Sequence, residues 1–237
     1  MSEKARPALG YTRFQGFFFS RPQLLKARDI TGNTLYYSRL LGLVSRLELD
    51  IDDLERTISA DLSLSWKLLR YINSAAMARR QEITSIRQAM LLLGEAQLRR
   101  WSSMVAVSEM SKGHSHELLK LCLVRARFCE ILAPSLHLAF NRVAEAFLVG
   151  LLSGLDAMLD MEMEKAVPAL NLGSALNDAL LERKGPLAPL LELVLKYEQG
   201  NLDQVETLCS NSGVASDRLP ELYQQAVHWV RETLSEE

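Results

Sequence analysis

The sequence predicts an all-α fold. Three observations carry that prediction. Apolar residues recur at helical spacing in one stretch after another. No alternating strand-like run appears after residue 25. Capping residues punctuate the apolar stripes at intervals suited to helices of ordinary length. An apolar share of 48% supports a real core, and 24% charged residues keeps the surface polar. At 237 residues the chain is long enough for one large domain or two small ones.

The first 22 residues stand outside the helical pattern. Phe17-Phe18-Phe19 is a short aromatic run bounded by Gly16 and Arg21-Pro22, as expected of a buried strand. A lone strand cannot make a sheet, so it needs partners that the rest of the chain does not supply. After a polar linker from Lys26 to Asn33, Leu35, Leu40, Leu41, Val44 and Leu47 predict a first helix. Asp50 or Asp52 caps a short second one through Ile58, with acids in the first turn where the helix dipole favours them. Asp61 is the next N-cap. Behind it Leu62, Trp66, Leu69, Ile72 and Ala76 form one predicted apolar stripe, which gives out near Asn73-Ser74. Arg79-Arg80-Gln81-Glu82 is too polar for a core. Ser85 and Gln88 have capping-box spacing. Ile86, Ala89, Met90 and Leu93 share a face, and Gly94 supplies a C′ residue that tolerates positive φ. A stripe from Leu98 through Trp101 and Val105 ends near Lys112-Gly113. Later helices are expected over Ser115–Ala133 (stopped by Pro134), Asn141–Asp156, Ser174–Arg183, Pro186–Gln199, Asn201–Ser210 and about Arg218–Leu234. Asn73, at a helix end, reads as a turn residue that satisfies backbone groups.

Net charge is only -2, which points neither to nucleic acid nor to a membrane surface. The two parts of the chain differ, however. Residues 1–130 carry 20 Lys/Arg against 13 Asp/Glu, and residues 131–237 carry 7 against 16. Such a basic front and acidic back can steer partners, or can simply be two solvated faces. Cys122, Cys129 and Cys209 are an odd number without metal-ligand spacing. Cys122 and Cys129 fall on one helix face as small core residues, a usage that fits a reducing cytoplasm. The most apolar window, Ala146 to Leu155, is about half the roughly 20 residues that a membrane span requires. A soluble, cytoplasmic protein with no signal peptide is expected.

The stretch LSWKLLRYINSAAM … ITSIRQAMLLLGEAQLRRW, within residues 61–101, resembles the core motif of the HDOD domain. In that family a leucine-rich helix ends at Asn-Ser, and an Ile-x-Ser-Ile-x-x-Ala helix ends at Leu-Gly. The resemblance implies a multi-helix, HD-like bundle that lacks the metal ligands of HD phosphohydrolases and serves bacterial signalling. LGYTRFQGFFFSRP, residues 9–22, resembles the closing segment of an EAL domain, a barrel that hydrolyses cyclic-di-GMP. Its acidic metal ligands have no counterpart here. Later, ALLERKGPLAPLLELVLKYEQGNLDQVETLC is similar to the series that follows the degenerate HD helix in EAL-HDOD proteins. The expected organisation is an EAL-like remnant over 1–24, a short extended segment, followed by an HDOD-like helical domain over 25–237.

Candidate chemistry is judged at AFLVGLLSGLDAM, residues 146–158, which is similar to the HD-hydrolase helix written Gly-Leu-Leu-His-Asp-Ile-Gly. The positions of the metal-binding pair are Ser153 and Gly154. An imidazole beside a carboxylate can hold a water-activating divalent ion. Serine is a poor neutral ligand and glycine has no side chain. Asp156 lies two residues on and points elsewhere around a helix. The upstream ligand's place falls near Leu121, while His114 and His116 precede that helix. The expectation is therefore no catalytic residue, no metal and no cofactor. Ala146, Gly150 and Gly154 also have the small-residue spacing of close helix packing. His137 and His228 read as ordinary surface or capping residues.

Arg79, Arg80, Arg87, Arg99 and Arg100 flank the central motif. They are either solvated helix faces or a docking surface for an acidic partner or phosphate groups. The reading that follows is a non-enzymatic output or regulatory domain of a cyclic-di-GMP-related signalling protein, acting by protein contact. Its partner would be another protein, its own EAL domain or a second copy in a homodimer, with no membrane involvement. Two alternatives stay open: a divalent-metal phosphohydrolase with relocated ligands, and a nucleic-acid-binding regulator using the Arg clusters. The modest overall charge weighs against the second.

Overall fold

Helix starts are set by side-chain acceptors that satisfy otherwise orphaned amides. In the computed structural model, Asp50 accepts from the Asp53 N–H, Asp61 from Leu64 and Ser85 from Gln88. Ser115 and Asn201 accept in the same way from Glu117 and Gln204. The structure describes residues 32–74, 83–113, 115–136, 138 and 142–235. The EAL-like segment 1–24, the extended segment, Arg79, Arg80, His114 and His137 lie outside the described residues.

All regular structure among the described residues is helical, as the sequence predicts. α1 (Gly32–Val44), α2 (Ile51–Ser59) and α3 (Leu62–Ile72) form the front of the bundle. α4 (Ile86–Met110) crosses behind them and bends at Gly94, whose φ of 72° and ψ of 164° interrupt the helix. Gly94 thus takes the left-handed φ expected of it, and Glu95 restarts the helix at once. Ser85 makes only one half of a capping box: the return bond from the Gln88 side chain is absent among the described residues.

α5 (His116–Leu132) is the central helix, packed most extensively against α6 (Val143–Leu151) and then α12 (Leu219–Ser235). Its Cys122, Leu123, Ala126, Phe128, Cys129 and Leu132 are buried. The Phe128 ring meets Tyr197 and Tyr223 at centroid distances of 5.5 and 5.3 Å, tying α5 to α10 (Ala188–Glu198) and α12. Edge-on pairs of this kind add roughly 0.5–1.5 kcal/mol each beyond burial of the rings. After α6 the chain tightens into a 3₁₀ turn at Leu152–Gly154 before α7 (Leu155–Leu159). α8 (Met163–Ala166), α9 (Ser174–Asn177) with a π turn after it, and α11 (Leu202–Ser212) complete the back of the bundle. On α12, Leu219, Leu222, Ala226 and Val230 are buried.

The predicted stripe of α3 is wrong at its start. Leu62 and Trp66 are not core: they are 87% and 58% exposed. α3 buries Leu64 and Leu68, together with Ile72 of the stripe, while Leu69 is half-buried and Ala76 lies outside the described residues. Both rows have i, i+4 spacing, and the helix is rotated so that the second row meets α2 and α4.

Asn73 caps the end of α3 with a long reach. Its amide Nδ2 donates to the Ile83 carbonyl at 2.8 Å, and its Oδ1 accepts from the Ile83 N–H at 2.9 Å. It satisfies backbone groups as expected, ten residues away rather than locally.

Candidate functional site

Ser153 and Gly154, expected at the place of the HD metal pair, lie where α5 meets the turn after α6. Gly150 sits directly against the α5 backbone: a Cβ added there would lie 2.5 Å from the Arg125 carbonyl oxygen and 2.7 Å from the Ala126 Cα. A Cβ at Gly154 would lie 2.7 Å from the Cys122 Sγ. The expected close helix approach is present, and it leaves no space beside Cys122 for a carboxylate at 154. The Ser153 hydroxyl donates to the Gly150 carbonyl at 2.7 Å, a bond made within its own turn.

The charged group at this position is Arg125. Its Nη1 donates to Ser153 Oγ at 3.2 Å, and its Nε donates to Glu198 Oε2 at 2.8 Å. The Arg125 and Glu198 side chains are 5% and 3% exposed, so this is a buried ion pair linking α5, the 3₁₀ turn and α10. Burial pushes the Glu198 carboxyl above its usual range, with the guanidinium pulling the other way. Its Oε1 has no hydrogen-bond partner. Burial also raises Asp156, against the amides of its own helix start and the fields of Arg125 and Arg183. Burial pushes the Cys122 thiol up to about 12, so the sulfur is a neutral packing group. Leu121 is half-buried at the place of the upstream ligand. Among the described residues no group of three or more His, Cys, Asp or Glu could hold a metal ion.

Arg125 and Glu198 escape a reading of the sequence by motif. One signal was available: Arg125 interrupts the apolar run Leu121-Cys122-Leu123-Val124, and a charge on a core face implies a buried partner. Glu198 belongs to the Tyr-Glu-x-Gly series on which the later resemblance rests.

The described arginines near the central motif, Arg87, Arg99 and Arg100, do not share one surface. Arg99 is buried: its Nη1 donates to the carbonyls of Val44 and Arg46 at 2.6 Å, and Nη2 reaches Leu47 and Glu95. It closes the C-terminal end of α1 and is not available for docking, which corrects the expectation for this residue. Its charge is spent on carbonyls that a helix end leaves without amide partners. Arg100 is half-buried, bonded to Glu130 at 2.5 Å and stacked on the Phe147 ring. Arg87 is exposed and paired with Asp52 and Glu55 of α2. His228 is exposed beside Glu232.

The HDOD domain family matches residues 34–177. The chain belongs to the HDOD family. The match begins in α1 and ends with α9, and so contains both the central motif and residues 146–158. This HDOD chain is 36% identical over 220 residues to a protein of Vibrio cholerae serotype O1 named cyclic di-GMP phosphodiesterase CdgJ, covering 93% of the chain and 51% of CdgJ. It is 35% identical over 225 residues to the uncharacterized protein YuxH of Bacillus subtilis, covering 93% of the chain and 54% of YuxH. The chain spans about half the length of the curated relatives it matches. No solved structure matches it. The expectation that the chain is not an enzyme is overturned by the first relative: 93% of the chain aligns with a protein that bears an enzyme's name. Serine and glycine at 153 and 154 bear on one kind of hydrolytic centre only and leave chemistry carried by other residues open. No helix among the described residues is long and apolar enough to cross a membrane.

Proposed function

We propose that this HDOD chain is part of a cyclic di-GMP phosphodiesterase and that its helical bundle regulates that activity through protein contact. The observation that carries the reading is the alignment of 93% of the chain with CdgJ. The geometry supports the regulatory role. Beside Ser153 stands Arg125, which bonds to the 3₁₀ turn and to α10 and so ties three segments of the bundle together. A bundle tied in this way can pass on a contact made at its surface. The contact residues are Leu62 and Trp66, large apolar side chains exposed on α3. Arg79 and Arg80, next along the chain, are further contact candidates. The contacted surface is that of an EAL-like domain, the kind of domain that residues 9–22 resemble.

The test is cyclic-di-GMP hydrolysis by the protein at its natural length, comparing wild type with Leu62→Glu. The side chain of Leu62 touches little of the bundle, so the variant keeps its helix content by circular dichroism. A several-fold change in hydrolysis rate is expected. No hydrolysis by wild type, or an unchanged rate both in the variant and after deletion of residues 32–235, would overturn the proposal.

A further inference from the structure

A cavity of about 400 Å³ opens between α3, α4, α5 and α12, apart from the Arg125 site. The chain contains three tryptophans, and all three line it: Trp66, Trp101 and Trp229. Lys67, Arg70 and Arg100 stand among them. Aromatic faces and cations in one recess suit a ligand that is both planar and anionic.

The charge balance strengthens this. Glu109 takes both Lys67 and Lys112, and Glu130 takes both Arg100 and Arg127. Arg70 lies over the Trp66 ring, 5.1 Å from its centroid, and has no carboxylate partner among the described residues. The cavity lining itself holds three cations, Lys67, Arg70 and Arg100, against one carboxylate, Glu109, although the chain as a whole is slightly acidic. Among the described residues, two polar groups of the lining, the Ser74 hydroxyl and the Arg100 Nε, are buried without a hydrogen-bond partner. Buried donors left unpaired are costly, and a ligand oxygen would satisfy them.

We infer that this cavity is a nucleotide-binding site, with a base stacked on the indole rings and phosphate held by Lys67, Arg70 and Arg100. Its volume lies toward the small end of the roughly 300–1,000 Å³ usual for ligand pockets, room for one base and its phosphate. Stacking and charge act together, so neither the nucleoside nor inorganic phosphate alone is bound as well. The inference does not depend on regulation of a phosphodiesterase.

Because the three tryptophans are all at the site, intrinsic fluorescence reports on it directly. The full chain is titrated with GMP, AMP, CMP, UMP and cyclic di-GMP, and separately with guanosine, inorganic phosphate and poly(U). Calorimetry of the same pairs counts the sites. Saturable quenching by at least one of the five nucleotides, with guanosine and phosphate at least ten-fold weaker, is expected. Arg70→Ala removes an exposed side chain and leaves the core intact, and it weakens that binding about ten-fold or more. Arg87→Ala, an exposed cation on the outer side of α4, leaves binding unchanged. The inference fails if no nucleotide saturates below about 1 mM. It fails equally if Arg70→Ala binds like wild type, or if poly(U) binds more tightly than every nucleotide, which would indicate strand binding.

Discussion

Replacing Arg125 by methionine keeps the aliphatic bulk of the side chain and leaves Glu198 buried without its cation. At neutral pH the carboxyl then escapes the cost of a lone buried charge by taking up a proton. Its ordinary value is 4.5. Holding it protonated at about pH 7 therefore costs at most about 3.4 kcal/mol, from 1.36 kcal/mol per unit. Loss of the bond to Ser153 adds about 1 kcal/mol. The sum lies near the roughly 3–5 kcal/mol found when one member of a buried pair is removed. A folded-state pKa above the unfolded one means that the native state binds more protons, so stability falls as pH rises through that window. The destabilisation of Arg125→Met should thus be small near about pH 5 and grow toward about pH 7, by up to about 1.4 kcal/mol per unit. Urea unfolding followed by circular dichroism at several pH values measures it. Arg125→Met with Glu198→Leu should recover most of the loss, because two apolar groups replace the pair. A loss independent of pH, or a double variant no more stable than the single one, would refute this account.

Gly150→Ala places a Cβ against three α5 backbone atoms, none of which can rotate away, and should cost about 3 kcal/mol or more in urea unfolding. A loss under about 1 kcal/mol would mean that the helices separate easily. Asn73→Asp keeps the acceptor for the Ile83 N–H but turns an anion toward the Ile83 carbonyl, and should cost about 1–3 kcal/mol; thermal melting would show it as a lowered Tm. With its thiol pushed up to about 12 by burial, Cys122 should resist maleimide at neutral pH in the native state and react fully in urea. Rapid native labelling, located by mass spectrometry, would contradict the packing of α5 against Gly154.

Helix starts were legible because their signals are local: Asp50, Asp61, Ser85, Ser115 and Asn201 each cap within three residues of themselves. The close approach of α5 at Gly150 and Gly154 was legible too, from the small-residue spacing of Ala146, Gly150 and Gly154. The phase of α3 was not. Leucines and a tryptophan surround that helix, so periodicity allows two buried faces, and only contact with α2 and α4 selects one. Nor could spacing show that α6 breaks at Leu152, where Ser153 bonds back to Gly150. Arg99 and Arg125 look like any other arginines in sequence. The carbonyls that Arg99 holds lie 52–55 residues away and the carboxylate that Arg125 holds lies 73 away, so tertiary packing alone brings these groups together.

The doubly bonded amide of Asn73 has a further consequence for how this chain tolerates change. Its two bonds hold the ends of the stretch between residues 73 and 83 together, whatever number of residues separates them. The end of α3 and the approach to α4 therefore keep one fixed separation through a single side chain, so a substitution at Asn73 unties both at once.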